Sequence, residues 1–70
     1  MDEHSVLVRV IGHKLDDLRR AASHIASQYQ TEWHTEPRAS GTAFCFDSEK
    51  TSILFVGYCK ISNVPVSREP

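Results

Sequence analysis

Seventy residues allow one domain at most, and a chain this short buries only about 60% of its unfolded surface, so it usually needs a disulfide, a metal or a partner. An apolar content of 40% rejects wholesale disorder, and a net charge of -1 with interspersed signs argues against a general polyanion binder. No run approaches the roughly 20 apolar residues of a membrane span, and the acidic start Met-Asp-Glu-His-Ser lacks the basic opening of a secretory signal, so a cytoplasmic chain without a membrane partner is expected.

Ser5 to Ile11 reads Ser-Val-Leu-Val-Arg-Val-Ile and predicts a strand. Val6, Val8 and Val10 point one way; Leu7, Arg9 and Ile11 point the other. Gly12 ends the run. Lys14 to Gln30 predicts a helix, because Leu15, Leu18, Ala22, Ile25, Ala26 and Tyr29 form one apolar stripe at helical spacing. Asp16 and Asp17 lie in its first turn, where carboxylates complement the macrodipole, and Asp16 is in reach of Arg19 or Arg20. Thr31 to Thr35 predicts a short strand with Trp33 inward and Glu32 and His34 outward. Glu36 to Gly41, with Pro37 and Gly41, reads as a loop.

Thr42 to Ile61 is the most apolar part of the chain. Two runs rich in aromatic and β-branched residues flank Ser-Glu-Lys-Thr, which predicts a β-hairpin turning at Glu49 and Lys50. In that register Cys45 faces Leu54. One face carries Phe44, Phe46, Ile53, Phe55, Gly57, Cys59 and Ile61 and belongs to the core. The other carries Ala43, Cys45, Leu54, Val56, Tyr58 and Lys60. After Ile61, Pro65 and Pro70 forbid a central strand and make the end of the chain an extended edge or a frayed tail.

The expected order is therefore β-α-β-β-β. It describes an α+β two-layer sandwich with one helix on a small, mostly antiparallel sheet. The domain spans residues 1–62, and 63–70 form an extended or flexible tail.

The histidines His4, His13, His24 and His34 show no i, i+3 or i, i+4 pair and no nearby cysteine pair, so no metal is expected. Cys45 and Cys59 lie on opposite hairpin faces, beyond disulfide reach, and read as buried thiols. A Cys-His nucleophile would need one of them to meet His34 or His24 in space. Neighbouring strands bring Cys45 toward His34, but no glycine-rich loop or helix start adjoins either cysteine to hold an oxyanion. The expectation is a protein that is not an enzyme and has no cofactor.

What remains is surface. A single helix covers one sheet face. The other face presents Leu7, Ile11, Ala43, Cys45, Leu54, Val56 and Tyr58, a contiguous patch that a monomer rarely leaves in water. The first reading is thus a protein-protein interaction domain, homodimeric, with Leu7, Ile11, Cys45, Leu54, Val56 and Tyr58 as its partner-binding residues. The alternative is a nucleic-acid-binding domain using the same face, with Tyr58 to stack on bases and Arg9, Lys60 and other basic residues on phosphates.

Overall fold

The computed structural model describes residues 4–68. The order is β1 (His4–Val8), α1 (His13–Gln28), β2 (Trp33–Arg38), β3 (Gly41–Phe46), α2 (Glu49–Ile61) and β4 (Val66–Arg68). The fold is α+β, as the sequence predicts, with two elements different, a second helix and an added last strand. The second half of the expected hairpin is a helix, and the order is β-α-β-β-α-β. The hairpin of the molecule is instead β2–β3, joined through Ala39 and Ser40, with Arg38 opposite Gly41.

The strands form one sheet in the order β2-β3-β1-β4, and every neighbouring pair is antiparallel. β1 and β2 therefore flank β3, while β3 and β4 flank β1. This is the split β-α-β arrangement, with both crossover helices packed on one side of the sheet. Val6, Val8, Phe44 and Phe46 face the helices and meet Leu18, Ala22, Phe55 and Cys59 in the core cluster. Phe55 lies over Phe44 at 4.7 Å between centroids and beside Phe46 at 5.3 Å. Trp33 faces inward, as expected, and stacks on Phe44 at 6.0 Å.

The boundaries follow local chemistry. Each helix ends on a non-glycine residue in left-handed backbone, Gln30 at φ 55° and Asn63 at φ 59°. The next amide then reaches back across the last turn, Thr31 N–H to the Ala26 carbonyl at 2.9 Å and Val64 N–H to the Cys59 carbonyl at 2.8 Å. Both are Schellman closures of otherwise unsatisfied carbonyls. β2 extends through Pro37, which an edge strand tolerates. Gly41 permits the close crossing of β3 over β1, because a Cβ there would collide with the Val8 carbonyl oxygen. Within the expected 63–70 tail, Val66–Arg68 pairs with β1 as an edge strand, so it belongs to the sheet.

Candidate functional site

α2 is the element with the unusual surface. Its inner face is formed by Thr51, Ser52, Phe55 and Cys59. The two hydroxyls are satisfied by back-bonding, Thr51 Oγ1 to the Ser48 carbonyl at 3.0 Å and Ser52 Oγ to the Glu49 carbonyl at 2.7 Å. Arg68 Nη2 also donates to Ser52 Oγ at 3.1 Å, tying β4 to the helix. The outer face carries Ile53, Leu54, Gly57, Tyr58 and Ile61, at the i, i+1, i+4, i+5, i+8 positions of one helical stripe. Ile53 is 51% exposed and Ile61 86%. Phe55 and Cys59 anchor this helix in the core, yet its outer side adds a second apolar stripe where a surface helix of an isolated domain is polar.

Its neighbour α1 provides the contrast. Leu18, Ala22 and Ala26 are buried, and the outward face is charged, with Asp16–Arg19 and Asp17–Arg20 ion pairs at 4.0 and 3.6 Å. Between the helices lies an open groove of about 370 Å³ lined by Asp17, Arg20, Ala21, His24, Ile25 and Tyr58. At the start of α2, Lys50 Nζ sits 4.7 Å over the Tyr29 ring. Gly57 lies at the middle of the α2 stripe, and nothing stands within 4 Å of where its Cβ would be.

The open face of the sheet has a different character. The pairing registers place Ser5, Cys45 and His34 in one row and Ser67, Leu7, Ala43 and Glu36 in the next. Leu7, Ala43 and Cys45 are buried although they stand outside the main core cluster. His34 Nε2 and Glu36 Oε2 are 2.9 Å apart, and Arg38 Nη1 donates to Glu36 Oε1 at 3.0 Å. These two hydrogen bonds, the one to His34 first, hold the Glu36 carboxyl below its usual range. Ser5 Oγ donates to Cys45 Sγ at 3.4 Å. One donor atom from each of His34, Glu36 and Cys45 lies within 4.8 Å of the others.

The expected partner-binding residues are thus not one surface. Leu7 and Cys45 lie buried on the open sheet face. Leu54 and Tyr58 lie exposed on α2, on the opposite side of the molecule, and Ile11 is 86% exposed in the β1–α1 connection. Val56 is half-buried and packs against the core. The reason is the helix: a strand would have put Leu54, Val56 and Tyr58 on one face with Cys45, whereas in a helix Leu54 and Tyr58 stay within about 40° of each other and Val56 points about 200° away from Leu54. The surface used by the nucleic-acid alternative is divided in the same way, since Tyr58 and Lys60 are on α2 while Arg9 follows β1. Ile53 and Ile61, core residues in a hairpin, are instead the outermost apolar residues of α2.

No known protein family matches the chain, and neither does any curated protein. Among the described residues no helix is long and apolar enough to cross a membrane.

Proposed function

We propose that this chain is a non-enzymatic protein-protein interaction domain that pairs with a second copy of itself through the outer face of α2. The observation that carries the reading is the exposed apolar stripe on that helix, Ile53, Leu54, Tyr58 and Ile61, opposite the face that Phe55 and Cys59 bury in the core. Its occupant is a second copy because the stripe is self-complementary. A two-fold axis near Gly57 sets Ile53 of one protomer against Ile61 of the other, and the bare Gly57 backbone lets the helices approach closely.

Size also bears on the geometry. A standard interface takes about 800 Å² from each partner, roughly a sixth of the 4547 Å² surface. A helix of 13 residues is about 20 Å long and does not supply that area alone. The groove beside Tyr58 and Ile25 extends the contact onto α1. A cytoplasmic location accompanies the proposal, since Cys45 and Cys59 are both buried and not joined by a disulfide. The pairing of β3 supports the non-enzymatic reading. This strand is paired on both sides, so its amides are committed to the ladder and none beside Cys45 is spare for an oxyanion.

Sedimentation or light scattering at tens of micromolar tests the pairing. The parent chain should run as a dimer and Ile61→Lys as a folded monomer, because Ile61 is 86% exposed and gives the monomer core almost nothing. A parent chain that stays monomeric over that range, or an I61K variant that still dimerises, overturns the proposal.

A further inference from the structure

The open sheet face carries chemistry that the interaction surface on α2 does not use. His34 and Cys45 are direct cross-strand neighbours, and Glu36 is the next residue of β2 on the same face. Three kinds of metal-binding side chain thus converge from two paired strands. We propose that His34, Glu36 and Cys45 bind a thiophilic divalent cation of the zinc class.

The geometry is close to what such an ion needs. Donors around a tetrahedral zinc, at about 2.0–2.3 Å from the ion, stand roughly 3.3–3.8 Å from one another. Here all three lie within 4.8 Å, and His34 Nε2 and Glu36 Oε2, hydrogen-bonded at 2.9 Å, need part only slightly to admit the ion between them. Small side-chain rotations adjust the set, on a backbone held by the β2–β3 ladder.

Charge and softness agree with the distances. A thiolate, a carboxylate and a neutral imidazole together neutralise a dication. The thiolate and imidazole favour zinc-like ions over magnesium or calcium, which prefer oxygen alone. Each anionic ligand has an outer partner that orients it. Ser5 Oγ donates to Cys45 Sγ, and Arg38 holds Glu36 Oε1, which leaves Oε2 turned toward His34. The Arg38 cation also opposes the ion, so the affinity is below that of a closed four-ligand structural site. His34 and Glu36 side chains are 47% and 43% exposed, which leaves the fourth position to water or to a ligand from solvent. On binding, the Cys45 thiol releases its proton to solvent as sulfur bonds the metal, and the proton that His34 Nε2 shares with Glu36 moves to Nδ1 or to solvent as that nitrogen ligates, so affinity rises with pH. Cys59 is no competitor. It lies under α2 on the other side of the sheet, fully buried, and desolvation pushes its thiol up to about 11.

Cobalt(II) is the probe, added to the reduced, untagged full chain and then displaced by zinc. The expected result is one equivalent bound, with a near-ultraviolet thiolate-to-cobalt charge-transfer band. Cys45→Ser and His34→Gln should each abolish the band. Glu36→Gln should weaken binding by more than about tenfold, at least the loss expected when even an outer partner of a metal ligand is removed. His34→Gln carries the decision if Cys45→Ser fails to fold, because the half-exposed His34 side chain is replaced without opening the core. Far-ultraviolet circular dichroism checks that it folds. No thiolate band in the parent chain overturns the proposal. So does a band that survives His34→Gln, since a lone thiol would then be the binder.

Discussion

Cys59 occupies the inner face of α2 at 0% exposure, and its thiol is shifted up to about 11 by desolvation alone. Burial penalises the thiolate, so folding favours the protonated form. The raised value therefore contributes stability in full below the ordinary thiol value of 9.0 and loses it as pH climbs through about 11. Denaturant midpoints measured between those two values should fall in the parent chain and fall less in Cys59→Ala. Every other group is common to the two proteins, so the difference in slope isolates Cys59. Equal slopes would mean that the thiol is not buried where the fold places it. At this scale much was legible. Trp33, Phe44, Phe46, Val6 and Val8 all face inward as their alternation predicts. Cys45 opposite His34 was foreseeable only as a cross-strand neighbour, because sequence spacing cannot bring residues eleven apart together until β2 and β3 are paired.

α2 is where local pattern and tertiary structure part. Its continuous apolar run, rich in β-branched and aromatic residues, has strand propensity, and such a run cannot be assigned by periodicity alone. Length and punctuation decide it. Glu49–Ile61 spans 13 residues, more than twice a mean strand of about 5–6. Ser48 stands at the N-cap, Glu49 in the first turn, Lys60 in the last, Asn63 just past the end and Pro65 beyond, a full set of helix signals. The Ser-Glu-Lys-Thr stretch that resembles a hairpin turn is this helix start. The two conformations differ in a measurable way. In a strand, Ile53 and Phe55 share a face; in the helix they point about 200° apart. At concentrations where the chain is monomeric, Phe55→Ala should cost about 3–5 kcal/mol, since Phe55 is fully buried against Phe44 and Phe46. Ile53→Ala should change stability by no more than about 0.5–1 kcal/mol, because half of its side chain is in solvent. Comparable losses in both variants would return this segment to the sheet.

The whole molecule has more apolar surface than it covers, and that was readable from composition before the surface itself was. Composition and length indicate that a 70-residue chain needs help to be stable. They do not say which side is left open. The sheet face expected to be open has Leu7, Ala43 and Cys45 buried, flanked by His34, Glu36 and Arg38, while the helix layer ends in Ile53 and Ile61 facing water. Pairing through α2 then couples association to stability. Only the folded chain presents the stripe, so mass action should make the melting temperature rise with protein concentration. A dilution series of the parent chain should show that dependence, and Ile61→Lys should melt at one temperature throughout. Salt separates this interface from a charged one. Ion pairs between exposed groups are screened within about 8–10 Å at moderate ionic strength, whereas apolar burial is not weakened by salt. The concentration dependence should therefore persist from low to high salt. If it vanished as salt was raised, the contact would rest on charge, the Asp16, Asp17, Arg19 and Arg20 face of α1 would be the surface in use, and the apolar stripe of α2 would lose its role.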